Sequence, residues 1–238
     1  MPNPEPPSPL SRPDGLIFDL DGTLVDTVPA RIDGWLEALT ASGMEVSHRQ
    51  LAPMIGMDGK RLARLVAEAN GRTPSEDELE TWDRAAGQAF DRRNRAPRPL
   101  PGFADVVATI EELGLRWCIA TSSRREQVAA SVAALALPEE PDIVDGSHVE
   151  HAKPAPDLLL LAAERLGVAP ERCWAVGDST WDMRATVAAG ETAIGVLAGS
   201  AVAEADLAEA GAARVLPTLE DLATLLRASA GPGGDQPG

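Results

Sequence analysis

Two aspartates one residue apart follow a short apolar run: Leu16-Ile17-Phe18 leads into Asp19-Leu20-Asp21-Gly22-Thr23-Leu24-Val25-Asp26. If the run Leu16–Leu20 is a strand, its alternation puts Asp19 and Asp21 on one face. Two carboxylates so placed repel and lose hydration unless a divalent cation neutralises them. Gly22 permits a sharp turn directly after them. An exposed Asp-rich turn is the plain alternative, but it leaves the apolar run before it unexplained. A second acidic element, Gly177-Asp178-Ser179-Thr180-Trp181-Asp182, also follows an apolar run, Cys173–Val176. Helix capping accounts for one of its acids; two beside a glycine point to the same metal site.

Ala120-Thr121-Ser122-Ser123 ends a third apolar run just before a helical pattern. Hydroxyls and free amides at a helix N-terminus bind anions, although Ser and Thr are equally ordinary N-caps. Of 21 lysines and arginines only two are lysine, Lys60 and Lys153. Where arginine is the habitual cation, a retained lysine suggests a need for a compact, rotatable ammonium. Lys153 precedes Pro154-Ala155-Pro156-Asp157, a helix opening with proline in its early positions. From there a cation reaches a phosphate and the acids around it. Lys60 falls in a helical stretch and reads as a solvated helix charge.

These residues need a scaffold that gathers them. Apolar runs at Leu16–Leu20, Arg116–Ala120, Asp142–Val144, Cys173–Val176, Thr192–Val196 and Arg214–Leu216 read as strands. Helical spacing recurs between them at Phe103–Leu113, Gln127–Leu135 and Asp157–Leu166, with Gly114 and Gly167 placed as left-handed C-caps. The alternation predicts an α/β fold, a Rossmann-like parallel sheet with helices on both faces. The first interval differs: Pro29–Ala41, Gly59–Ala69 and Ser75–Arg93 are helical, with no strand among them, and a stiff proline segment closes the interval at 96–102. Residues 28–96 therefore read as an inserted helical cap, and residues 14–27 with 97–228 as the core. The insertion lands beside the carboxyl ends of the strands, where open α/β sheets hold ligands. The proline-rich 1–13 and the Gly/Pro-rich 229–238 read as flexible tails.

Composition narrows the partners. A net charge of −16 argues against nucleic acid or an anionic membrane as partner. Five Trp, three Phe and no Tyr argue against a stacking platform for single strands. Two cysteines, Cys118 and Cys173, exclude a disulfide scaffold and read as buried reduced thiols. The start lacks the basic and apolar regions of an export signal, and the longest apolar stretch, around Leu158–Ala163, is too short to cross a bilayer. A cytoplasmic chain, monomeric or a small homo-oligomer, is the expectation.

In order and kind, DLDGTLVDT at 19–27, TS at 121–122, KPAPD at 153–157 and GDSTWD at 177–182 resemble the haloacid dehalogenase-like phosphohydrolases with a helical cap, of the phosphoglycolate phosphatase and β-phosphoglucomutase kind. The resemblance spans about Leu16 to Leu226. It implies Asp19 as the nucleophile that becomes an aspartyl phosphate, and Asp21 as the group that protonates the leaving oxygen and then activates water. It implies Thr121 and Ser122 on the phosphoryl oxygens, with Lys153 neutralising charge between nucleophile and phosphate. Mg²⁺ would be held by Asp19, Asp178 and the backbone carbonyl of Asp21, with Asp182 in support.

The implied activity is hydrolysis of a small phosphorylated metabolite, of the phosphoglycolate or sugar-phosphate type. The acid at Asp21 favours phosphoryl transfer over dehalogenation. Phosphoglucomutase-like members usually carry histidine where this chain has Arg31, which weakens the alternative of a mutase-like phosphoryl transferase. The stretch 55–60 resembles the family's specificity loop, which makes Lys60 and Arg31 candidate readers of the substrate's distal group. Two readings of another class stay open: a signalling domain phosphorylated on aspartate, and a fold that only binds phosphometabolites. The acid-x-acid spacing, the late acidic motif and the long insertion favour the enzyme.

Overall fold

The computed structural model describes residues 10–123 and 125–231. The flexible tails expected at the termini fall mostly on residues 1–9 and 232–238, outside the described residues. The chain enters through β1 (Gly15–Phe18) and leaves at once into four helices, α1 (Val28–Ala41), α2 (His48–Leu51), α3 (Gly59–Ala69) and α4 (Glu76–Arg93). It then alternates through α5 (Phe103–Leu113), β2 (Arg116–Thr121), α6 (Arg125–Ala134), β3 (Ile143–Asp145), α7 (Asp157–Leu166) and β4 (Cys173–Gly177). It closes with α8 (Thr180–Ala189), β5 (Thr192–Val196), α9 (Glu204–Glu209), β6 (Arg214–Leu216) and α10 (Leu219–Ser229).

All strand pairs are parallel, in the order β3-β2-β1-β4-β5-β6. Both faces of the sheet are buried, which is why its strands are apolar throughout rather than alternating. Leu16, Phe18, Ile119, Trp174 and Val176 pack on one face with Val106 and Ile110 of α5 and Leu222 and Leu226 of α10. Ile17, Cys118, Ala120, Cys173 and Ala175 pack on the other with Leu158 and Ala162 of α7 and Ala185 of α8. Both cysteines are free and buried, and burial pushes the Cys173 thiol up to about 12 and raises that of Cys118. Such thiols are structural rather than reactive. The strand order reverses between β1 and β4, and a crevice opens there at the carboxyl ends.

The four helices between β1 and α5 own a separate hydrophobic cluster, with Trp35, Leu39, Leu51, Leu62, Leu79 and Trp82 at its centre. A capping box between Ser75 and Glu78 starts α4, with three acids in its first turn. No helix among the described residues is long and apolar enough to cross a membrane.

Several local expectations are corrected. β1 stops at Phe18, so Asp19 and Asp21 lie beyond the strand and strand alternation does not place them. The Asp19 amide still donates to the Val176 carbonyl at 2.9 Å, after which the amides of Leu24 and Val25 both turn back onto the Leu20 carbonyl. Gly22 makes that turn at φ +81°, and a Cβ there would stand 2.4 Å from Asp178 Oδ2. α7 spans Asp157–Leu166 as the spacing predicts, but its N-cap is Pro156, so Pro154 and Pro156 precede the helix rather than sit in its early positions. α2 has no counterpart in the sequence reading, because four residues carry no helical period.

Candidate active site

The crevice between β1 and β4 gathers the acids. Asp19 follows β1, Asp178 follows β4, and Asp182 sits in the first turn of α8. One carboxylate oxygen from each lies within 4.8 Å of the others. Lys153, 2% exposed, is driven among them from the loop before α7. Its Nζ donates to Asp19 Oδ1 at 2.7 Å, to Asp182 Oδ1 at 2.6 Å and to the Ala120 carbonyl at 3.3 Å. Burial works against the lysine's charge, but Asp182 and Asp19 outweigh it and raise its pKa.

The carboxylates are strained in the opposite sense. Burial first, then the neighbouring acids Asp182 and Asp19, pushes Asp178 well above the usual carboxylate range. Asp19 is also raised by burial, against the pull of Lys153. One ammonium cannot neutralise three clustered carboxylates, and hard oxygen donors in this number suit a small divalent cation. The residues present therefore fit such an ion. Thr23 Oγ1 donates to Asp178 Oδ1 at 3.1 Å, and Ser200 Oγ donates to the Asp178 carbonyl at 2.6 Å, fixing that residue from two sides. Asp182 also caps a helix, since its Oδ2 accepts from the Ser179 amide and hydroxyl in the capping box of α8.

Asp21 is held differently. Its carboxylate accepts from Thr27 Oγ1 at 2.7 Å, from Arg31 Nη2 at 2.5 Å and from Ser123 Oγ at 3.3 Å. The acid cluster around Lys153 is made by Asp19, Asp178 and Asp182. Thr121 ends β2 fully buried and accepts the Ser123 amide on its hydroxyl. The neighbouring Ser122 hydroxyl is buried with no hydrogen-bond partner among the described residues. Buried polar atoms are rarely left so unless something else supplies the partner.

Asp19, Asp21, Thr121, Ser122 and Asp178 open onto one cavity of about 240 Å³, whose far wall is Arg31, Trp35, Lys60 and Phe90 from the helical insertion. Arg31 thus joins the acids directly. Lys60 lines the wall too, but its ammonium is paired with Glu80 at 2.5 Å. Sequence reading alone misses Thr27, Ser179 and Ser200, and takes Ser123 only as part of the anion-binding run rather than as a partner of Asp21 and Arg31. Thr27 and Ser179 lie inside the acidic motifs, whereas nothing in the spacing points to Ser200.

Residues 13–190 match the family described as haloacid dehalogenase-like hydrolase. The chain belongs to that family. This haloacid dehalogenase-like hydrolase is 33% identical over 184 residues to the fructose-1-phosphate phosphatase YqaB of Escherichia coli (strain K12), covering 76% of this chain and 95% of that one. It is 32% identical over 211 residues to the phosphoglycolate phosphatase of Shigella boydii serotype 4, covering 80% and 84%. Among solved structures, a hydrolase from Pseudomonas syringae superposes with a TM-score of 0.85 at 32% identity, covering 90% of this chain and 98% of that one. Family and relatives together make the chain a phosphatase.

Proposed function

We propose that this hydrolase removes the phosphoryl group of a small phosphorylated metabolite, of the phosphoglycolate or sugar-phosphate type, through an aspartyl phosphate on Asp19. The convergence of Asp19, Lys153, Asp178 and Asp182 at the β1/β4 crevice carries this reading. In it, an Asp19 carboxylate oxygen attacks phosphorus and the bond to the leaving oxygen breaks. Asp21 gives that oxygen a proton and later takes one from the water that attacks the aspartyl phosphate. Lys153 offsets the charge gathered between nucleophile and phosphoryl oxygens, while Thr121 and Ser122 donate to those oxygens. The unpartnered Ser122 hydroxyl supports that role. Asp19, Asp178 and the Asp21 backbone carbonyl would hold Mg²⁺, with Asp182 in support; the ion would supply further neutralisation of phosphoryl charge.

Residues 28–96 act as the cap, whose wall over the cavity excludes bulk water and selects the leaving group. A cavity of about 240 Å³ suits a metabolite of a few carbons rather than a polymer. The test is a phosphate-release screen across small phosphoesters with Mg²⁺ supplied. Turnover that Asp19→Asn abolishes, with the fold intact by circular dichroism, is the expected result. Near-normal release by that variant would overturn the assignment.

A further inference from the structure

Arg31 belongs to α1 of the insertion, yet its guanidinium reaches the core. Nη2 bonds both Asp21 Oδ2 at 2.5 Å and Ser123 Oγ at 2.7 Å. The group lies over the Phe90 ring, with Cζ 3.7 Å from the centroid, and the side chain is 15% exposed. It is therefore fixed against the cavity wall by stacking as well as by charge. Its Nε and Nη1 donors have no partner among the described residues.

The charge around it is lopsided. Among the described residues, Asp19, Asp21, Asp58, Glu150 and Asp178 line the cavity, with Asp83, against Arg31 and Lys60. Lys60 is held by Glu80, which lies outside the lining. A leaving group carrying an anion would be repelled by most of this wall, and among the described lining residues Arg31 is the cation bonded to Asp21 and Ser123, beside the reacting centre. Asp21 would not be stranded by the exchange, because Thr27 and Ser123 still donate to it. A guanidinium in a planar fork is also the side chain best matched to a carboxylate or phosphate.

We propose that Arg31 selects substrates whose leaving group carries a second anion, a carboxylate or a second phosphate, by exchanging its bond to Asp21 for that anion. The proposal rests on the phosphatase reading of the same site.

Two matched substrate pairs test it: phosphoglycolate against 2-hydroxyethyl phosphate, and a sugar bisphosphate against the corresponding monophosphate. The wild type should prefer the doubly anionic member of at least one pair by about tenfold or more in kcat/KM. The pair that shows the preference tells carboxylate from phosphate. Arg31→Gln should collapse that ratio, chiefly through KM, and Arg31→Lys should restore part of it. A wild-type ratio near one in both pairs, or a ratio that survives Arg31→Gln, overturns the proposal. Should the glutamine variant fail to fold, the wild-type and Arg31→Lys ratios decide. The same pairs are titrated by calorimetry into Asp19→Asn, with and without Arg31→Gln. If the wild type hydrolyses none of them, binding decides: tighter binding of the anionic member that depends on Arg31 upholds the exchange, and its absence ends it, while the phosphatase reading stands or falls on the wider phosphoester screen.

Discussion

Lys153 and Asp182, 29 residues apart in sequence, meet at 2.6 Å where α8 begins. Asp182 uses its other oxygen to cap that helix through Ser179, so one side chain serves both helix capping and the charged cluster. The backbone of α8 and the lysine are thereby fixed to each other. Fixing the lysine also fixes its second partner, Asp19, at 2.7 Å.

Lys153→Met removes the ammonium buried among three carboxylates while keeping the length of the side chain. Phosphate release should fall by about a hundredfold or more. The metal-free protein should lose stability on the order of 3–5 kcal/mol, because breaking a buried ion pair leaves uncompensated charge. Thermal melts with and without MgCl₂ check the cause: the ion should raise Tm more in the variant than in the wild type. An equal rise in both would mean that lysine and cation do not share one field.

Asp178→Asn separates metal binding from folding. The amide oxygen can still accept from Thr23, while the charge that burial and the neighbouring acids oppose is gone. In chelator the variant should melt at or above the wild-type temperature. Its affinity for Mg²⁺ by calorimetry should fall by about tenfold or more, since a carboxylate ligand is lost. Unchanged affinity would place the ion elsewhere.

How much of this is legible in the sequence depends on the range of the interaction. The four motifs carry their own signal, and the strand–helix alternation orders them, so the convergence of Asp19, Lys153 and Asp178 at one sheet edge follows from topology. Thr192–Val196 and Phe103–Leu113 are bounded in sequence as the structure has them, because apolar runs and a C-cap glycine punctuate both. The apolar run overshoots β1 by two residues, because Leu20 extends the alternation while its carbonyl is already taken by the turn amides of Leu24 and Val25. The bond from Arg31 to Asp21 is hidden for a different reason. It depends on how the insertion docks on the core, and no local period encodes that.

Docking of insertion on core also runs through Trp181. Its Nε1 donates to the Pro53 carbonyl at 3.0 Å, and Arg61 and Arg184 lie 5.2 and 5.3 Å from its ring. Beside it Gly56, at φ +93°, approaches so closely that a Cβ would stand 2.6 Å from Ser179 Oγ. Trp181→Phe keeps an aromatic but smaller ring and loses one hydrogen bond, worth about 1 kcal/mol, so KM should rise a few-fold with kcat nearly kept. Gly56→Ala adds a backbone penalty and a clash with the loop that carries Asp178, and should impair turnover more. Steady-state kinetics on both variants decides. The reverse order of severity would show that the insertion is not seated through this contact.

Glu191 lies far from these contacts in role, between α8 and β5, and both its carboxyl oxygens are buried without a hydrogen-bond partner among the described residues. Burial pushes its pKa from 4.5 up to about 8. In the unfolded chain the same group releases its proton at its ordinary value, so between those limits the folded chain binds more protons than the unfolded one. Stability therefore falls as pH rises from about 4.5 and levels off above about 8, by an amount on the order of 5 kcal/mol at most. Glu191→Gln cannot release a proton and should be spared that loss. Near pH 5 the two proteins should melt at similar temperatures, and near pH 8 the variant should melt higher by several degrees. A gap that stays constant across this range would mean that Glu191 finds a partner or solvent when it ionises, and that its carboxylate is accommodated in the fold.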